Sequence, residues 1–353
     1  MRVAVLLGGT SPEREVSLAS GLAVIRALRE RGHHVVAIDT ARGVVPPDEE
    51  TQLLPEGIHA SPPETVEARL RPEQLAELPE LRQADVAFLA LHGGAGEDGT
   101  LQALLELLQV PYTGSGPLGA ALAMDKDVSK RLFRDADIPT LPWRVVRAPD
   151  YRYDREIVED VIGFPNVVKP ANQGSSVGLT VVHDPQALDE AIALAARFGD
   201  EVMIERYVRG RELTVGIVGD QPLPLVEIQP KKGIYDYESK YTPGMTEYLC
   251  PAPIDEETAA TIQAYALRAF RVLKMRGFGR IDFIYAREQP YCLEANALPG
   301  LTATSLLPKA AAAAGLSFPD LCERILAEAQ RDFERRQAQA NEQHPHSVRP
   351  NNR

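Results

Sequence analysis

Gly279-Arg280-Ile281-Asp282-Phe283, followed by Leu293-Glu294-Ala295-Asn296 and then Pro299-Gly300-Leu301-Thr302, is the most informative stretch of this chain. Side chains alternate along a strand, so Arg280 and Asp282 share one face, and Glu294 and Asn296 share another. With a hairpin turn around Glu288, Asp282 lies opposite Glu294 and Arg280 opposite Asn296. Two carboxylates facing each other across a strand pair repel. A divalent cation relieves that repulsion, and Asp, Glu and Asn oxygens suit Mg²⁺ carrying nucleotide phosphates. The alternative is a solvated polar face in which Arg280 pairs one acid, because charged strands are common. Against it stands the turn at Pro299 to Thr302, well placed to offer backbone N–H groups to an oxyanion.

Towards the N-terminus, Val167-Val168-Lys169-Pro170 reads as a buried strand that delivers a lysine to the Gly/Ser loop Ala171 to Gly178. Such a loop can offer N–H and hydroxyl donors to phosphates. It lacks the Gly-Lys-Ser/Thr order of a Walker A loop, and a plain flexible connection is the competing reading. Val202-Met203-Ile204-Glu205, with Tyr207-Val208 and Glu212, is a strand and connector able to face an adenine; an ordinary surface Glu205 is the alternative. Gly8-Gly9 to Glu13 forms a glycine turn after the first strand, where open α/β sheets bind ligands. Without G-x-G-x-x-G it is no dinucleotide site. Glu13 can receive an ammonium or simply favour a helix start. His92, before Gly93-Gly94, can face a ligand or be a hydrogen-bonded structural histidine, and Lys126 by itself reads as a surface lysine.

The rest of the chain supplies the frame. Strand Val3 to Leu7, helix Val16 to about Arg31, the stop at Gly32 and strand Val35 to Ile38 open a doubly wound sheet. Residues 41 to 80 predict an irregular stretch with one short helix, and Val86 to Leu91 another strand. Helices are expected over Leu101 to Leu108, in a region opened by Met124-Asp125-Lys126 to about Asp135, from about Gln186 to Phe198 and between about Glu256 and Lys274, and beyond about Gln330 the chain turns polar. The 353 residues suit two or three domains. A net charge of -12 argues against nucleic acid or an anionic membrane as partner. Cys250, Cys292 and Cys322 fit neither a disulfide framework nor a zinc pattern, so the expected setting is the cytoplasm. The apolar start reads as a buried strand, not a signal peptide.

In their order along the chain, these segments resemble one family closely. They are Gly8 to Ser17, Leu91-His92-Gly93 with Gly96-Glu97-Asp98-Gly99-Thr100, Met124-Asp125-Lys126 and Lys169 to Gly178. Tyr237-Glu238-Ser239-Lys240-Tyr241, Gly279 to Phe283 and Glu294 to Thr302 complete the set. Together they resemble the D-alanine–D-alanine ligases of the ATP-grasp superfamily over residues 1 to about 330. The resemblance implies an α/β chain with an ATP-grasp fold behind an N-terminal doubly wound parallel-sheet domain. It implies an N-terminal substrate-binding domain at 1–115, central and C-terminal ATP-grasp domains at 116–210 and 211–330, and a disordered tail at 331–353.

The resemblance further implies that ATP and two D-alanines become D-alanyl-D-alanine through a D-alanyl phosphate, for peptidoglycan precursors, in a cytoplasmic homodimer. Lys126, Lys169 and Lys240 would bind phosphates with Ser176, while Glu205, the Val208 backbone and Glu212 hold adenine and ribose. Asp282, Glu294 and Asn296 would coordinate two Mg²⁺ (or Mn²⁺). Glu13, linked through Ser175 to Tyr241, would take the first ammonium, with His92 near that substrate. Arg280 and the Gly300 amide would form the oxyanion site, and Ser305 with Leu306 would hold the second carboxylate. An acyl phosphate must be kept from water, so Tyr235 to Met245 is expected to be a lid joined to the Gly174 to Gly178 loop. Tyr241 favours a dipeptide product over a D-lactate ester. Ala297 departs from the Thr of many relatives, on the strand face away from the ligands. A ligase for another acceptor, a nucleotide-binding regulator without turnover and, more remotely, an NAD-dependent dehydrogenase are the competing readings.

Overall fold

Alternation of small and branched apolar residues builds the first sheet. β1 (Arg2–Leu7) is buried on both faces, as a central parallel strand must be, and lies between β2 (His34–Asp39) and β4 (Val86–Leu89), parallel to each. The structure, a computed structural model, describes residues 1–54, 57–59, 67–68, 70–231, 235, 239–240, 242 and 244–343. The helix Arg14–Glu30 follows β1 and stops at Gly32, whose φ of 81° suits a residue without a side chain. The stretch expected to be irregular adds an antiparallel edge strand, β3 (Gly43–Val45), and the short helices Pro72–Glu77 and Pro79–Arg82. Three residues are too few to show a period, which hid β3.

Two antiparallel sheets follow. One has the order β5 (Trp143–Arg147), β8 (Glu201–Arg206), β6 (Asn166–Pro170), β7 (Thr180–Val182). In the other, β9 (Arg211–Val218) pairs with β10 (Gln221–Pro222) and lies between β11 (Val226–Pro230) and β13 (Phe278–Ala286). β12 (Thr246–Leu249) closes one edge of that sheet and β14 (Gln289–Asn296) the other. The helix Glu256–Val272 covers this sheet with Ile262, Ala266, Ala269 and Phe270.

The expected disordered tail requires correction. Helix Phe318–Gln343 runs well past residue 331, and only 344–353 lie outside the described residues. Its first half buries Leu321, Cys322, Ile325 and Leu326 in one core with Val24, Leu28 and the first sheet. Its second half is polar but paired, Asp332 holding Arg335 at 2.8 Å and Arg336 at 2.9 Å on the same helix. Polarity there marks an exposed helical face and not a missing one. Among the described residues no helix is long and apolar enough to cross a membrane.

Candidate active site

The hairpin β13–β14 has the register read from the sequence: Arg280 pairs with Asn296 and Asp282 with Glu294. Its two-residue turn is Arg287-Glu288, both left-handed at φ 51° and 62°. A bulge after Asp282 skips Leu293 in the ladder. Arg280 grips Asp282 with two parallel bonds of 2.8 and 2.9 Å, Asn296 donates to it at 3.0 Å, and Thr214 on the neighbouring β9 donates at 2.6 Å. Repulsion between the facing acids is thus met on Asp282 by a guanidinium. Glu294 is met by Lys126 at 3.3 Å. Burial alone would raise the pKa of Glu294, but Lys126, Lys169, Lys240 and Arg280 outweigh it and hold the group at about 2. Among the described residues no group of three or more His, Cys, Asp or Glu is set to hold a metal ion. The oxygen donors gathered here are two carboxylates and an amide, a hard set that suits Mg²⁺ or Mn²⁺.

Lys126 opens the helix Lys126–Asp135, capped by Asp125 accepting from Val128 N–H at 3.0 Å, and its ammonium also donates to the Gln173 carbonyl at 2.7 Å. That contact seats the Gly/Ser loop. Ser175 and Ser176 both sit at positive φ, 49° and 59°, a conformation L-residues avoid unless held there. Ser175 is held by donating to Glu13, and Ser176 by donating to the Tyr235 carbonyl at 3.0 Å. A Cβ on Gly174 would come within 2.8 Å of a Glu13 oxygen, so a side chain there would push the Glu13 carboxylate aside. Lys240 donates to Ser176 at 3.3 Å, which joins the expected lid segment to the loop. Burial drives the Lys240 pKa below its ordinary value, with Glu294 opposing. Tyr241 lies outside the described residues.

Lys169, on β6, bonds Glu205 on β8 at 2.8 Å across a ladder that pairs β6 with β8. Both line a cleft with Val208, Glu212, Ser176, Lys240 and Asp282. Burial pushes Glu212 up to about 7, Lys240 opposing and Asp282 and Glu294 adding to the rise.

A smaller, more polar cavity lies beside this cleft, lined by Glu13, His92, Ser175, Asn296, Gly300, Ser305 and Leu306. Ser305 precedes the helix Leu306–Ala313 and accepts from the Thr302 N–H at 3.0 Å, turning a helix N-terminus towards the cavity. Gly300 has no room for a side chain, because Ser305 Oγ would sit 2.6 Å from its Cβ. His92 is kept neutral near pH 7: burial lowers its pKa, Glu13 and the Leu298 backbone opposing.

Three residues of this region were given no role of their own from the sequence, although Glu97 lies in the Gly96 to Thr100 motif. Ser20 is fully buried, accepts from the Leu301 N–H at 3.2 Å and lies 3.2 Å from His92 Nε2. Its one trace is a hydroxyl between Val16 and Val24 on the apolar helix face. Glu97 accepts from Gly93 N–H at 2.9 Å and lines the cavity. Burial and Glu13 push it up to about 7. Thr214 is visible only through strand pairing.

Cleft and cavity share one wall. Lys126, Tyr235, Lys240, Arg280 and Glu294 line both. An anion entering the cleft and a carboxylate in the cavity would meet there among four cationic or charge-paired groups, the arrangement that group transfer between them needs.

The chain is similar to known proteins over most of its length. Residues 2–115 match the family description "D-ala D-ala ligase N-terminus" and residues 132–327 match "D-ala D-ala ligase C-terminus". The chain is 43% identical over 326 residues to the D-alanine–D-alanine ligase of Syntrophotalea carbinolica, covering 92% of this chain and 95% of that one. It is 45% identical over 327 residues to that of Anaeromyxobacter dehalogenans, covering 92% and 96%. Its structure is similar to the crystal structure of D-alanine–D-alanine ligase from Bacillus anthracis complexed with ATP, with TM-score 0.75, 29% identity and coverage of 95% and 99%.

Proposed function

The chain belongs to the D-alanine–D-alanine ligase family of ATP-dependent ligases, and we propose that its two adjoining pockets divide the reaction between them. ATP occupies the larger cleft and two D-alanines the smaller cavity; the product is D-alanyl-D-alanine, a peptidoglycan building block. The observation that carries this division is the common wall of Lys126, Lys240, Arg280 and Glu294. A γ-phosphate reaching that wall from one side faces a carboxylate held on the other.

A carboxylate is a poor electrophile, so it is first phosphorylated. Lys126, Lys169 and Lys240 neutralise the triphosphate and hold it in line, which is most of what phosphoryl transfer requires of a protein. Glu205, the Val208 backbone and Glu212 seat the adenosine. Glu13, oriented by Ser175, takes the ammonium of the first D-alanine, and neutral His92 borders it. The helix start at Ser305-Leu306 takes the carboxylate of the second. The second D-alanine, as its free amine, then attacks the acyl phosphate and places negative charge on the carbonyl oxygen; collapse of this intermediate breaks the C–O bond and expels phosphate, and the new amide nitrogen gives up a proton. Arg280 and the Gly300 N–H meet that charge. The loop at 174–178, bonded to Tyr235 and Lys240, keeps water from the acyl phosphate.

Asp282, Glu294 and Asn296 fit Mg²⁺ or Mn²⁺, two ions in all. When bound, they supply charge neutralisation at the phosphate oxygens. A homodimer in the cytoplasm completes the reading.

The test is phosphate release and product mass with ATP, Mg²⁺ and D-alanine, D-lactate or D-serine as acceptors. Phosphate release that depends on D-alanine, with dipeptide as the main product, is expected. No D-alanine-dependent release at saturating substrate refutes the proposal.

A further inference from the structure

Behind the nucleotide cleft stands a lysine that none of the chemistry above employs. Lys130, on the inward face of the helix Lys126–Asp135, is fully buried and is not among the residues lining the cleft. Its ammonium lies 2.5 Å from Glu205 Oε1 and 5.0 Å from the centre of the Trp143 ring. It also donates to Thr140, whose hydroxyl donates to the Cys292 carbonyl on β14 at 2.8 Å. Glu205 is almost as buried, and its other oxygen is 2.8 Å from Lys169. One buried carboxylate therefore has two ammoniums, one sealed in the core and one at the edge of the cleft.

The asymmetry has a consequence for binding. A buried carboxylate stripped of its counter-ion is costly, most of all where no partner remains. On the nucleotide reading of the cleft, in which Lys169 binds the phosphates, its ammonium is shared between Glu205 and the triphosphate. If Lys169 were the only partner, that cost would be subtracted from the binding of ATP. We propose that Lys130 is a positioning residue for ATP binding: as the permanent counter-ion of Glu205, it releases Lys169 to the phosphates and keeps Glu205 charged towards the base. The inference rests on the nucleotide reading of the cleft given above. The charge balance supports it, since burial pushes Glu205 up while Lys130 and Lys169 bring it below the ordinary carboxylate range.

Lys130→Met keeps an unbranched side chain one atom shorter and removes its charge. The expected result is a KM for ATP raised about tenfold or more, with KM for D-alanine and kcat at saturating ATP changed by less than about threefold. In a Glu205→Gln background, Lys130→Met should add less than about twofold, because no carboxylate remains to compensate. An unchanged KM for ATP overturns the proposal, as does the same tenfold loss in the Glu205→Gln background. If Lys130→Met alone fails to fold, the double variant carries the test: it should fold and bind ATP as Glu205→Gln does, and failure on either count overturns the proposal. Lys169→Met separates this inference from its premise. If that variant leaves the KM for ATP unchanged, the nucleotide reading of the cleft falls; if it weakens ATP while Lys130→Met does not, only the role of Lys130 falls.

Discussion

Glu97 and Glu13 are two carboxyls facing one small cavity, and their proximity can be read out as a pH effect. Glu97, raised to about 7 by burial and by Glu13, holds its proton more tightly in the folded chain than in the unfolded one, where it titrates near 4.5. Stability from this group is therefore complete below pH 4.5 and declines as pH rises through about 7. Glu97→Gln keeps the shape and removes the titration, so the drop in melting temperature between about pH 5 and about pH 8 should shrink. It should not vanish, because burial also raises Glu212 to about 7. An unaltered drop would show that Glu97 does not titrate in this window. Ser20 acts by a hydrogen bond instead. Ser20→Ala leaves the Leu301 N–H, beside Gly300, without its buried acceptor, at a cost of about 1–3 kcal/mol. Displacing that loop should lower kcat about tenfold and leave the KM for ATP within about twofold; equal losses in both would mark a general loosening. The charged residues of the site were legible because Asp282, Glu294 and Asn296 alternate at strand period and Lys169 ends an apolar run. The roles of Ser20, Glu97 and Lys130 were not, though Glu97 stands in the Gly96 to Thr100 motif. A buried polar residue shows its role only through what the fold brings to it, and those partners lie 281, 4 and 75 positions away for Leu301, Gly93 and Glu205.

Among the elements, the β13–β14 hairpin was the most readable, and its turn contains a local conflict. Arg287 and Glu288 both adopt left-handed backbone, a conformation that Asn-Gly adopts readily and that costs other L-residues about 1–2 kcal/mol each. Replacing the pair by Asn-Gly should raise stability by about 1 kcal/mol and leave turnover unchanged, because the turn lies at the far end of the strands from Asp282 and Glu294. Chemical denaturation and steady-state kinetics check the two halves; a fall in stability would mean that the side chains matter more than the backbone. Other elements escaped the sequence for opposite reasons. β3 is too short for a period, and helix Leu306–Ala313 begins with Leu-Leu-Pro, where apolar periodicity cannot separate helix from strand. Helix Phe318–Gln343 escaped because its second half has a polar face answered by partners remote in sequence.

Those remote partners set the assembly of the whole molecule. The cavity takes Glu13, His92 and Glu97 from the region of the first sheet, Arg280 and Asn296 from the third sheet, and Gly300 and Ser305 from the chain just after it, so its shape depends on how these two parts are held together. Helix Phe318–Gln343 spans them. Near its start Asp320 pairs with Arg31, and Glu323 lies 2.5 Å from His33, both at the end of the helix Arg14–Glu30. Further along, Arg336 reaches Glu106 at 2.8 Å and lies 5.7 Å from the Tyr112 ring. Asp332 pairs with Arg276, which itself donates to the Tyr112 hydroxyl at 2.7 Å and stands just before β13. Among the described residues Asp332 is the one carboxylate joining Arg276 to this helix, and both side chains are mostly buried, at 14% and 18% exposure. Its loss therefore falls between a surface and a buried pair, about 1–3 kcal/mol. Asp332→Ala should lower the melting temperature by a few degrees and, because the two walls of the cavity lose a brace, raise the KM for D-alanine more than the KM for ATP, whose cleft lies between the second and third sheets. Measuring both constants decides the matter: a rise confined to ATP, or none in either despite the lower melting temperature, would mean that the helix stabilises the fold without shaping the cavity.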